Sequence, residues 1–145
     1  MDHSAGVLLL WVHAAVMGLC AAVGGLMTAA WTAGLLYALV DTTAPPVVEW
    51  FFAGVVALRA MLLVPTIAAV AMTGAAATSL RRGGRRFVLA TIVAAIVVPI
   101  ANMLTTLMTF DPLGFAWLFS LAVGLGMSVV VTVTLPHTEG RDDEW

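Results

Sequence analysis

One arginine lies inside a long apolar stretch, and its side chain has the clearest capacity for chemistry in this sequence. Arg59 is the only charged residue from position 50 to position 72. A charge within such a stretch is costly, and it marks a functional site by default. Asp41, Glu49 and Asp111 are candidate partners, because arginine binds carboxylates in a bidentate geometry, and the favoured interpretation is a structural tie between the two helical hairpins. Alternatively, Arg59 binds an anionic or quinone-like headgroup, or extends its guanidinium to water.

A second candidate cluster lies near the N-terminus. His13, Met17 and Cys20 are spaced so that they share one face of a helix. Imidazole, thioether and thiolate ligands together suit Cu(I), and His13 could also be an axial haem ligand. No second cluster supplies further ligands, so the competing interpretation is that these three residues only pack. We therefore predict no resident metal and no cofactor.

Polar side chains also occur in the third apolar stretch, and they are Asn102, Thr105, Thr106 and Thr109. Hydrogen bonds between helices, or back to the helix backbone, explain them without a substrate, although a polar pathway is an alternative. The sequence has no nucleophile elbow, phosphate loop or catalytic carboxylate pair, so no catalytic residue is assigned. The candidate binding residues are Arg59, Asp111, Asn102 and Trp50.

The elements that must position these residues are apolar segments. The chain of 145 residues is 62% hydrophobic and 10% charged, against about 45–50% and about 25% in soluble domains. The apolar segments run from about 7 to 40, 47 to 80, 87 to 110 and 113 to 135, and each reaches the length of about 20 residues that spans a bilayer. In lipid such a segment satisfies its backbone as a helix. We predict one all-α transmembrane domain over 1–145, a four-helix bundle of two hairpins, with no nucleic-acid partner.

A basic cluster orients the predicted bundle. Residues 81–86, Arg-Arg-Gly-Gly-Arg-Arg, hold four of the six basic residues between the second and third segments. Lysine and arginine concentrate in cytoplasmic loops. Both termini are therefore predicted to be cytoplasmic, in a multi-pass protein of the cytoplasmic (inner) membrane of a bacterium.

The first two segments are longer than a bilayer requires. Each has about 34 residues, or roughly 50 Å of helix. Residues 32–58 would then project beyond the membrane or fold back along its outer surface, and this stretch is still apolar. An exposed apolar surface of this kind usually marks a binding site. Alternatively, the helices are tilted or are kinked at Pro65, and less of the chain projects.

A short repeat accompanies this pattern. Leu26-Met27-Thr28 recurs as Leu107-Met108-Thr109, and a tryptophan follows each copy at the start of the next segment, Trp50 and Trp117. With a proline near the end of each return helix, the chain resembles an uncharacterised bacterial membrane family built from a two-helix repeat. That family has no known activity to carry over.

The centre of the chain carries a second resemblance. Val64-Pro65, Arg85-Arg86 and the run from Pro99 to Leu104, which includes Asn102-Met103-Leu104, are similar to the small four-helix membrane proteins of the anthrone-oxygenase-like group. That group has an Asn-Leu motif at the end of its third helix, then a loop, then a tryptophan and an arginine on the fourth. This chain lacks the loop and the fourth-helix arginine, so no catalytic residue carries over.

Three functional hypotheses follow. The leading one is a non-catalytic subunit or interaction partner of a larger membrane complex, which contacts the lipid bilayer and docks on a protein partner or a second copy through the hairpin at 32–58. The alternative is a membrane-embedded enzyme or redox protein acting on a lipid-soluble ring compound, with Arg59 and His13 at its site. The second alternative is a small oligomeric transporter lined by the polar residues of the third segment.

Overall fold

Four helices make up the fold in the computed structural model, which describes residues 3–41, 43–112 and 114–134. They are α1 (His3–Val40), α2 (Pro46–Arg81), α3 (Val88–Met108) and α4 (Gly114–Thr134). Their bounds lie close to the predicted segments. The predicted segment ends at Leu113 and Leu135 fall outside the described residues.

The helices form an antiparallel bundle, which confirms the predicted fold class. α1 contacts α2 and α4, and α3 contacts α2 and α4; within the described ranges the diagonal pairs are not in contact. A Cβ built at Gly6 would lie 3.5 Å from the Leu80 side chain and 3.8 Å from the Thr134 hydroxyl. The start of α1 and the ends of α2 and α4 therefore share one end of the bundle, the end that carries the arginine-rich turn at 81–86.

The distribution of polar and apolar side chains is that of a membrane protein. Large apolar side chains are exposed on every helix, whereas several buried side chains are polar. These buried polar residues are His13, Arg59, Thr66, Thr73, Thr91, Thr105, Thr106, Thr109, Ser120 and Ser128. All four helices are long and apolar enough to cross a membrane. The protein is therefore a small multi-pass membrane protein whose four apolar spans contact a lipid bilayer.

The C-terminal end of α2 is closed by a Schellman motif, in which two backbone hydrogen bonds complete the last turn. Gly84 N–H donates to the Ser79 carbonyl at 2.9 Å, and Gly83 N–H donates to the Leu80 carbonyl at 3.0 Å. Gly83 has a φ of 78°, which favours glycine because an L side chain is strained there. The Gly-Gly pair inside the basic cluster is therefore a helix stop.

The two long helices continue past the short ones and stay paired to their tip. α1 has 38 residues and α2 has 36, against 21 each in α3 and α4. Near the tip, a Cβ at Gly34 would lie 2.5 Å from the Phe52 ring, and Ala38 and Val55 are buried. Residues 32–58, hereafter the outer arm, are thus mainly a paired helical hairpin that continues α1 and α2 and does not fold back.

Candidate functional site

The buried arginine predicted from the sequence forms an ion pair at the base of the outer arm. Arg59 Nη2 lies 2.7 Å from Asp111 Oδ2, and the two side chains are only 6% and 4% exposed. The same nitrogen donates a hydrogen bond to Thr109 Oγ1 at 2.9 Å. Of the three candidate partners Asp41, Glu49 and Asp111, the structure pairs Arg59 with Asp111. The pair joins the hairpin of α1 and α2 to the turn between α3 and α4.

The end of α3 holds Asp111 in place through a second Schellman motif. Asp111 N–H donates to the Thr106 carbonyl at 2.9 Å, and Phe110 N–H donates to the Leu107 carbonyl at 3.4 Å. Phe110 has a φ of 51°, where glycine is the usual residue. Sequence reasoning missed this motif because a phenylalanine at that position carries no helix-stop signal.

A small polar cavity adjoins the ion pair at the level where α3 ends. Its volume is about 30 Å³, which is enough for one or two water molecules. α1 contributes mainly apolar residues to its lining, and the polar residues that line it are Thr28, Arg59, Thr66, Asn102, Thr105, Thr106 and Asp111. Arg59 Nε is buried and finds no hydrogen-bond partner within the described part of the chain. At this volume the cavity can hydrate the ion pair but cannot admit a ring compound.

The predicted binding residues divide between this cavity and the outer arm. Asn102 Nδ2 donates to Thr66 Oγ1 at 3.1 Å and to the Val98 carbonyl at 2.9 Å. Thr66 was missed as a partner, because its role depends on the register between α2 and α3. Trp50 is 78% exposed and lies nine positions before Arg59, about 14 Å along α2. Arg59, Asp111 and Asn102 therefore come together, and Trp50 does not join them.

The face of α1 that carries His13, Met17 and Cys20, the weak candidates for soft-metal ligands, is buried in the bundle. His13 and Met17 are fully buried, and both His13 ring nitrogens are without a hydrogen-bond partner among the residues described. The Cys20 thiol donates to the Ala116 carbonyl at 3.4 Å. A Cβ at Gly124 would lie 3.0 Å from His13 Cε1, so α4 packs closely on the imidazole. Across the described ranges, no three His, Cys, Asp or Glu side chains are grouped to hold a metal.

The outer arm presents an apolar surface with two acidic residues. Its exposed large apolar side chains are Leu36, Tyr37, Leu39, Val40, Val47, Trp50, Phe51 and Leu58. Asp41 and Glu49 are its only charged residues. At the tip, the Thr43 hydroxyl donates to Asp41 Oδ1 at 2.6 Å and the Thr43 N–H donates to it at 3.0 Å. These bonds stabilise the carboxylate and lower the pKa of Asp41.

Comparison with protein-family models, with curated proteins and with solved structures finds no match to this chain. The class of protein, a small four-span membrane protein, therefore rests on its helices and on its exposed apolar surface. The two family resemblances in the sequence stay predictions.

Proposed function

We propose that this protein is a non-catalytic subunit or interaction partner of a larger membrane complex, and that it binds another integral membrane protein through the outer arm. The observation that carries the proposal is the paired, apolar arm. α3 and α4, with 21 residues each, are about 31 Å long, which matches the bilayer hydrocarbon of about 30 Å. Arg59 is level with the end of α3, so residues 46–58 extend about 20 Å further.

The arm is closely packed where its two helices meet and apolar where it is exposed. Phe52 packs on Gly34, and the Trp31 and Phe52 ring centroids are 5.3 Å apart, so these side chains hold the two helices together. Trp50 and Phe51 remain exposed on the outside. Tryptophan is enriched at interface hot spots because it buries a large area with little loss of conformational freedom. An exposed apolar surface beyond the bilayer core supports docking on protein.

Charge favours a partner of a different kind over a second copy of this chain. Asp41 and Glu49 are the charged residues of the arm, and the arm has no Lys or Arg. A symmetric contact between two arms would bring these like charges together without a basic partner. The partner is therefore an integral membrane protein with an apolar surface rimmed by Lys or Arg.

The test is the mass of the intact particle, purified from the native host in mild detergent. The wild-type particle is expected to contain a second protein. Leu36→Ala with Trp50→Ala is expected to release that protein, because losing one anchoring tryptophan costs about 2 kcal/mol or more. Leu104→Ala with Phe115→Ala is the control, since these residues are exposed on the short helices, and it should retain the partner.

Three results would contradict the proposal. A wild-type particle that contains one chain, or only copies of this chain, would remove the hetero-partner. Retention of the partner by the arm variant would move the interface away from the arm. If the arm were cross-linked to the partner and the cross-linked surface of the partner had no basic residues, the charge argument would be contradicted. The alternatives of a membrane enzyme or redox protein and of an oligomeric transporter remain predictions.

A further inference from the structure

We infer that the arginine-rich turn between α2 and α3 binds the phosphate headgroup of an anionic phospholipid. The turn borders a surface concavity of about 350 Å³. This volume is within the range of small-molecule sites, about 300–1,000 Å³, whereas the cavity beside Arg59, at about 30 Å³, has room for only one or two water molecules. The polar and basic residues of the concavity are Thr78, Ser79, Arg82 and Arg86, and Gly84 and Phe87 also line it.

Backbone hydrogen bonds close the first part of the turn, which carries Arg82. The Schellman motif fixes residues 79–84 through hydrogen bonds to the Ser79 and Leu80 carbonyls. A Cβ at Gly84 would lie 2.9 Å from the Ser79 hydroxyl oxygen, so glycine permits the close approach. Phe87 has a φ of 67°, a conformation that is unusual for an aromatic residue and that requires support from its surroundings.

Two guanidinium groups beside one concavity suit a phosphate. Guanidinium donors match phosphate oxygens in a bidentate geometry. Arg82 and Arg86 are exposed, so their donors are accessible. The described acidic residues, Asp41, Glu49 and Asp111, all lie toward the other end of the bundle.

The position of the concavity selects a lipid as the source of the phosphate. The turn follows the last residue of a membrane-spanning helix, and the lengths of α3 and α4 place it at the membrane interface. Leu89 and Val93 are exposed on α3 just beyond the turn, where the acyl chains of a bound lipid would lie. Clusters of arginine immediately next to a span recognise anionic lipids in this way.

Native mass spectrometry of the full chain in detergent tests the site, with phosphatidylglycerol and phosphatidylcholine as the two probes. Wild-type protein is expected to retain phosphatidylglycerol preferentially. Arg82→Gln with Arg86→Gln should weaken that binding about 100-fold or more, because a direct hydrogen bond to a charged group contributes about 1.5–3 kcal/mol and about 1.4 kcal/mol is one tenfold step. Arg81→Gln with Arg85→Gln removes the same charge from the same turn and should weaken it only a few-fold.

Each contrary result overturns the inference. If the two double variants lost the same affinity for phosphatidylglycerol, the lipid would be held by diffuse charge attraction and not by a specific site. Displacement of the lipid by millimolar inorganic phosphate would assign the site to the free anion. Lipid binding that appears only after deletion of residues 139–145 would make the acidic tail the occupant in the full chain.

Discussion

The Arg59–Asp111 pair provides the sharpest test of how the two hairpins are joined. Both side chains are almost fully buried, and their charged atoms are 2.7 Å apart. Removing one member of a buried ion pair leaves an uncompensated charge and costs about 3–5 kcal/mol. Replacing both members by apolar residues is near neutral or stabilising, because the desolvation penalty disappears as well. Arg59→Met and Asp111→Leu should therefore each destabilise the protein, and the double variant should recover most of the loss.

The assay is reversible unfolding in mixed micelles of mild detergent and SDS, with helicity as the readout. The coupling free energy from the double-mutant cycle is expected to be about 3 kcal/mol or more. Arg81→Met is the matched control, since the same substitution at an exposed position of α2 should change the free energy of unfolding by about 0.5 kcal/mol or less.

One pattern of results would refute this reasoning. If each single variant cost less than about 1 kcal/mol and the two costs simply added, the pair would contribute no net coupling. Arg59 would then be held by Thr109 and by hydration in the adjacent cavity, and the junction between the two hairpins would depend on packing alone.

The remaining predictions concern the backbone, the packing and the tip of the arm. Phe110→Gly should raise the free energy of unfolding by about 1 kcal/mol, because glycine relieves the positive φ; an unchanged or lower value would contradict this. Gly124→Ala should lower the free energy of unfolding by about 1–3 kcal/mol, since its Cβ would lie 2.9 Å from a backbone oxygen of α3. Gly126→Ala is the control and should not lower it, because the space around Gly126 is open. Equal effects of the two substitutions would refute the packing argument. Thr43→Val should raise the pKa of Asp41 toward its ordinary value in an NMR titration, and an unchanged pKa would contradict the hydrogen-bond explanation. Because folding lowers this pKa, the contribution of Asp41 to stability is present above the ordinary aspartate pKa and is lost as pH falls through the lowered value.

The helices were predictable because local signals set their ends. The prolines at 45 and 46 mark the start of α2, and Gly83 marks its end, as proline at the first turn and glycine just past the last turn do in general. Arg59 was recognisable because a charge is rare in an apolar segment. These features depend on residues that are close together in the sequence, so they can be predicted from the sequence alone.

The partners of the buried polar groups depend on tertiary register, which the sequence does not display. Glu49 lies on the same helix as Arg59 but is ten positions away, about 15 Å along the axis, so only the pairing of α2 with α3 selects Asp111. Thr66 donates its hydroxyl to the Leu62 carbonyl at 2.7 Å, as many helical threonines do. Its bond with Asn102 becomes visible only when two helices are packed together.

The position of the ion pair links the anchoring part of the molecule to the proposed docking part. α3 and α4 have the length that a bilayer requires, so the extra length of α1 and α2 is not needed for anchoring. Arg59 lies where the long helices leave the short ones, and a buried charge pair at that level costs desolvation free energy. A uniform apolar junction would hold the membrane-spanning part together equally well. A directional ion pair, with Asp111 fixed by the turn that ends α3, instead sets the register of α2 against the short hairpin. The ion pair at the base of the outer arm then determines the direction in which the arm projects. Docking on a partner at a fixed height above the bilayer would require such a fixed direction.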